Sequence, residues 1–149
     1  MEISTSVLVI TNRPQEIAQI KRSFASRQIA VHSLVTMFDS YVADYLNQHN
    51  TTAAYSHVLL DLDMGYQPAI DILRLLKTHS STTQIPVLVY SLYQSSSIVQ
   101  YLERNGADLY FVKSAGWPSL VKTFSRLYRT NKSLSSAHYL NSRKSDWAA

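Results

Sequence analysis

Four short runs of consecutive apolar residues constrain what this chain can fold into: VLVI at 7–10, VLL at 58–60, IPVLVY at 85–90 and LYFV at 109–112. None alternates with polar residues, so a strand made from any of them has to be covered on both faces, which is the habit of a parallel sheet. A weaker run, IAVHSLV at 29–35, carries His32 and Ser33 and suits a sheet edge. Between the runs the apolar spacing becomes helical: Ile17, Ile20 and Phe24; Phe38, Val42 and Tyr45; Ala69, Leu73 and Leu76; Ile98 and Leu102; Leu120, Phe124, Leu127 and Tyr128. These intervals of three, four and seven place the residues on one helical face. Pro14 and Pro68 stand where a first helical turn tolerates proline, Asn105-Gly106 is a helix stop, and Pro118 opens the last helix. Strict β-α alternation repeated five times predicts an α/β, doubly wound (βα)5 fold. Its five-stranded parallel sheet has the order 2-1-3-4-5 and helices on both faces.

At 149 residues the chain has room for one domain and a tail. The helical spacing stops near Thr130, so residues 1–130 form the expected domain and the polar, basic residues 131–149 a flexible or partly docked tail. Charge divides in the same way: residues 1–112 hold 7 Lys/Arg against 9 Asp/Glu, and residues 113–149 hold 7 against 1. The basic end suits an acidic partner or simply keeps the tail soluble. There is no cysteine, which excludes disulfides, thiolate metal sites and a cysteine nucleophile. No apolar run approaches the roughly 20 residues of a membrane span. The N-terminus lacks a basic segment followed by a long apolar one, so a cytoplasmic protein without a signal peptide is expected.

In open α/β sheets the ligand site lies beyond the carboxyl ends of the strands, where strand order reverses. For the order 2-1-3-4-5 that point falls between the first and third strands, at the loops TNRP (11–14) and DLDMGY (61–66). Asp61 follows VLL directly, Ser91 ends the fourth strand and Lys113 follows the fifth. A carboxylate, a hydroxyl and an ammonium therefore converge.

The stretch HVLLDLDMG…DILRLLKTH…TQIPVLVYS…GADLYFVKS resembles a bacterial response-regulator receiver domain over roughly residues 5–130. The resemblance implies roles for four residues in order. Asp61 stands at the phosphoacceptor position, served in the family by a histidine kinase. Ser91 and Lys113 stand where phosphate is contacted, and Tyr110 is the switch aromatic. An aspartate attacking phosphorus needs the phosphoryl oxygens neutralised by Mg²⁺, the lysine, a hydroxyl and backbone donors. In the family the hydroxyl then closes on the acyl phosphate and the aromatic turns inward behind it, which couples the site to the face formed by the fourth helix, fifth strand and fifth helix.

The sequence departs from that pattern at the metal. Receivers usually end the first strand in two acidic residues, whereas this chain has Thr11 and Asn12 followed by Arg13. Mg²⁺ requires hard oxygen ligands, mostly carboxylates, so Thr11, Asn12 and Asp63 make a degenerate metal pocket with weak Mg²⁺ binding at most. Asp63 would offer a backbone carbonyl, Asn12 one neutral oxygen, and Glu16 a poorly placed substitute. Gly65 and Ser114 replace two family prolines, the second of which usually follows a cis bond and aims the lysine. Lys113 is then expected to pair permanently with Asp61. The reading is an atypical, non-enzymatic pseudo-receiver without a cofactor, acting as a stand-alone interaction module in bacterial two-component-type signalling. One alternative is a working phosphoacceptor on Asp61, and another a small flavin- or nucleotide-binding flavodoxin-like protein.

The expected contact face comprises Gln100, Tyr101, Tyr110, Lys122, Arg126 and Arg129. It would meet a histidine kinase, a downstream signalling protein or a second copy of the chain. No membrane association and no sequence-specific nucleic-acid binding are expected. The five histidines show no zinc-binding spacing, Ser91 lies outside any GxSxG context, and the three glycines build no phosphate loop.

Overall fold

The computed structural model describes residues 6–49, 55–93 and 95–130, with side chains from 6 to 48, 55 to 93 and 95 to 124. The expected tail at 131–149 lies outside the described residues. β1 (Ser6–Thr11), β2 (Ala30–Val35), β3 (His57–Asp61), β4 (Val87–Ser91) and β5 (Leu109–Val112) form one sheet in the order β2-β1-β3-β4-β5. All four pairings are parallel. α1 (Pro14–Ala25), α2 (Asp39–His49), α3 (Tyr66–Thr78), α4 (Ser96–Arg104) and α5 (Trp117–Thr130) fill the crossovers. α1 packs against α5, and α2 against α3.

The apolar runs become β1, β3, β4 and β5, and every residue of β1, β3 and β4 is buried. β2 lies at the edge, as its His32 and Ser33 suggested, and buries only Leu34. β4 starts at Val87 rather than at Ile85. The Ile85 N–H closes a turn onto the Thr82 carbonyl (2.9 Å), while its own carbonyl accepts from Lys77 Nζ (3.0 Å), so Ile85 has no ladder bonds to give. Asp108 fixes the start of the strand: its Oδ2 accepts from the Val87 N–H (2.8 Å) and from Lys77 Nζ (2.9 Å). With β4 and β5 pinned there, Ser91 and Val112 end in register at the opposite edge.

The helical faces expected over Ile17, Ile20 and Phe24, over Ala69, Leu73 and Leu76, and over Leu120 and Phe124 are buried. The face built on Phe38 is not. Phe38 precedes α2 and is 64% exposed, whereas Val42 and Leu46 enter the core. The Thr36 hydroxyl accepts the Phe38 N–H (3.0 Å), and the Phe38 carbonyl accepts from Tyr41 and Val42, so Phe38 caps the helix with its ring outside. Gly106, at φ +101, ends α4 beyond Asn105 in the left-handed region that glycine adopts freely.

His57 opens β3 against the edge of the Phe124 ring (centroids 4.4 Å apart), and burial lowers its pKa from 6.5 to about 4. Between those values the unfolded chain binds the proton and the folded one does not. The His57 contribution is therefore complete above pH 6.5 and is lost as pH falls towards 4. Compared with His57→Phe, the native protein is expected to lose up to about 3 kcal/mol over that window. Parallel urea denaturation curves at pH 7 and pH 4.5 measure the difference; equal losses in both proteins would contradict the assignment.

Candidate functional site

β1, β3, β4 and β5 end side by side at Thr11, Asp61, Ser91 and Val112, and Lys113 follows at once in a single 3-10 turn, Lys113–Ala115. Asp61 is fully buried. Its Oδ2 accepts from the Thr11 hydroxyl at 2.6 Å. Its Oδ1 accepts from the Asp63 N–H at 2.8 Å, which caps the 3-10 turn Leu62–Met64, and lies 3.1 Å from Lys113 Nζ. Both oxygens of the expected phosphoacceptor are therefore engaged by the protein itself.

Lys113 holds the cluster together. Its ammonium, on a side chain only 5% exposed, lies 2.8 Å from Glu16 Oε2, 2.9 Å from Asp63 Oδ2 and 3.1 Å from Asp61 Oδ1. The Tyr90 ring backs it, with its centroid 5.1 Å from Nζ. Burial alone would lower the lysine pKa, but the hydrogen bonds it donates to Glu16 and Asp63 and the charge of Asp61 outweigh it and raise the pKa. No cis peptide bond occurs among the described residues, so Lys113 reaches the cluster through a trans bond to Ser114.

Asp63 contributes its side chain to the cluster. Oδ1 accepts from the Ser91 hydroxyl (2.7 Å), and Oδ2 accepts from the Leu92 N–H (2.9 Å) as well as from Lys113. Burial alone would raise its pKa, but the hydrogen bonds from Lys113, Ser91 and Leu92 hold it below the ordinary value. Ser91 Oγ in turn accepts the Tyr93 N–H (3.2 Å). The Tyr110 hydroxyl donates to the Tyr93 carbonyl, with the Tyr110 ring turned inward and 2% exposed.

Two expectations, on Glu16 and Tyr110, need correction. Glu16 is not poorly placed: Pro14 starts α1 at once, Glu16 falls in its first turn, and a helical side chain leans towards the N-terminus of its helix. That lean carries its carboxylate over the strand ends to Lys113. Burial, then the charge of Asp61, raise the Glu16 pKa despite the lysine, and its Oε1 is buried without a hydrogen-bond partner. Asn12 is exposed and makes no hydrogen bond to the cluster. Tyr110 is core, not contact surface. Of the other residues expected on that face, Gln100, Tyr101 and Lys122 are exposed, and the side chains of Arg126 and Arg129 lie outside the described residues. Sequence reasoning also missed Tyr90, fully buried beside Thr11, whose phenol burial and the charges of Asp61 and Glu16 push well above its usual pKa. Its pairing opposite Asp61 is the signal that marks it.

The architecture is a flavodoxin-like fold, five parallel strands in the order 2-1-3-4-5 with helices in the crossovers. No protein-family model matches the chain, and no curated protein does. Solved structures do match, and they are response-regulator receiver domains. The Vibrio cholerae chemotaxis protein CheY4 superposes with a TM-score of 0.70 at 15% identity, over 83% of this chain and 98% of that one. The phosphorylated cyanobacterial phytochrome response regulator RcpA gives 0.70 at 17% identity, over 86% and 96%. The receiver domain of Francisella response regulator 1452 gives 0.68 at 22%, over 85% and 98%. At these identities the likeness defines the fold.

Replacing Lys113 by Met leaves three carboxylates around a buried gap. Urea unfolding at pH 7 is expected to show a loss of about 3–5 kcal/mol. The loss should shrink towards pH 5, because carboxylates without the ammonium have raised folded pKa values and the folded variant takes up protons there. A loss independent of pH would mean that the lysine acts through packing alone.

Proposed function

We propose that this chain is an atypical receiver module of bacterial two-component-type signalling, cytoplasmic and non-enzymatic, that works by protein–protein contact without Mg²⁺-dependent phosphorylation of Asp61. The observation that carries the reading is the buried Lys113 ammonium, bound at once to Glu16, Asp61 and Asp63. An in-line attack on phosphorus requires a carboxylate oxygen open to the donor. Asp61 has both oxygens engaged and no exposed surface.

The residues present do not fit Mg²⁺. The ion demands near-octahedral oxygen coordination and gives up water reluctantly. The Thr11 hydroxyl oxygen accepts the Arg13 N–H (3.1 Å) while its proton goes to Asp61, and both Asp63 oxygens are engaged. Among the described residues no group of three acidic or histidine side chains is arranged to hold a metal. Glu16 Oε1 is the acidic oxygen left over, and one oxygen is not a site for this ion.

The contact surface we assign is the α4–β5–α5 face, where Gln100, Tyr101 and Lys122 are exposed. Its partner would be a kinase, a downstream signalling protein or a second copy of the chain. An acidic partner surface suits the positive charge that begins at Lys113. No helix among the described residues is long and apolar enough to cross a membrane.

A working phosphoacceptor is the second reading, favoured by the convergence of Asp61, Ser91 and Lys113 at the strand ends. Incubation with Mg²⁺ and acetyl phosphate, followed by intact-mass measurement, separates the two. The proposal expects no phosphoryl mass gain and no saturable change with Mg²⁺ and beryllofluoride. A mass gain that disappears in Asp61→Asn would overturn it.

A further inference from the structure

We infer that the Asp63 carboxylate fills an oxyanion subsite of its own chain, where it replaces an external phosphoryl group and keeps the loop after β4 closed without modification. The inference rests on the reading of the site as a receiver that is not phosphorylated, and it explains how such a module could hold one defined surface.

Donor chemistry supports it. A phosphoryl group on Asp61 would need a hydroxyl, a backbone N–H and an ammonium around its oxygens. Asp63 takes one of each: the Ser91 hydroxyl at 2.7 Å, the Leu92 N–H at 2.9 Å and the Lys113 ammonium at 2.9 Å. The anion cannot leave, because it is built into the chain two residues beyond Asp61 and its own N–H is bonded to Asp61 Oδ1 at 2.8 Å. A tethered ligand of this kind binds at high effective concentration and involves no association entropy. A single carboxylate charge can thus replace the larger charge of a phosphoryl group.

The consequence propagates through named contacts. Asp63 fixes Ser91, and Ser91 Oγ accepts the Tyr93 N–H at 3.2 Å. The Tyr93 carbonyl accepts from Tyr110, whose ring is packed inward. Closing the loop in this way leaves Leu92 47% and Tyr93 74% exposed, presented beside α4. Asp63 is a positioning residue: it sets the shape of the loop and takes part in no reaction.

Hydrogen exchange on the full chain tests this, with Asp63→Ala, Ser91→Ala and sodium formate as the probe that returns the deleted carboxylate. The Leu92 amide should exchange about tenfold to a hundredfold faster in Asp63→Ala, as expected on losing a hydrogen bond to a charged acceptor. Tyr93 should follow in both variants, and the Tyr110 ring resonances should shift. Formate should restore protection to Asp63→Ala and not to Ser91→Ala. Unchanged exchange at Leu92 and Tyr93 in Asp63→Ala would overturn the inference. So would release that formate cannot reverse, since Asp63 would then be a local cap and the donors no oxyanion site. Should Asp63→Ala fail to fold, Asp63→Asn retains the volume and one acceptor, and partial release of Leu92 is the expected result; full protection would overturn the inference. Phosphoryl uptake by the unmutated protein would refute the proposed function and, with it, the replacement of a phosphoryl group, whereas loop release in Asp63→Ala would still show that Asp63 closes the loop.

Discussion

An ammonium group buried to the extent of Lys113 is tolerated only where negative charge surrounds it, because removing it from water costs several kcal/mol. Three carboxylates from three parts of the chain meet that demand: Glu16 from the first turn of α1, Asp61 from the end of β3 and Asp63 from the turn beyond it. Each of them would be unfavourable there without the lysine. The cluster is therefore stable as a set and fragile in its members, and it joins α1, β3, β4 and β5 at one edge of the sheet.

A parallel sheet with a strand-order reversal places its strand ends together whatever the function. What those ends do depends on which charges are left open. In this chain the first strand contributes Thr11, whose hydroxyl donates a hydrogen bond to Asp61. The second acid of DLD turns its side chain towards Ser91 and Leu92. The charges at the strand ends are balanced internally. With both oxygens of Asp61 and both of Asp63 engaged, the site holds its own charges in place, and the loop after β4 leaves Leu92 and Tyr93 exposed.

Most of the fold was legible in the sequence, because continuous apolar runs and helical spacing record burial directly. The edge position of β2 was readable from His32 and Ser33 for the same reason. Phe38 was misassigned because spacing cannot distinguish the last residue before a helix from the first residue within it; the Thr36 hydroxyl decides that locally. At the site, the convergence of Asp61, Ser91 and Lys113 follows from strand order. The roles of Glu16 and Asp63 do not, since they depend on the direction of a side chain at a helix start and within a 3-10 turn. Pro14 next to the strand end was the available clue for Glu16, and the i, i+2 spacing of the two aspartates was the clue for Asp63. Tyr90 looked like one more packing aromatic among ten tyrosines.

The central claim is that one buried ammonium balances the three carboxylates, and NMR of the Lys113 side chain tests it most directly. With ¹³C- and ¹⁵N-labelled lysine, the account predicts a slowly exchanging Lys113 ammonium signal and a titration midpoint above the ordinary lysine value of 10.5. An ammonium exchanging as fast as those of exposed lysines, with a midpoint at or below that value, would contradict it.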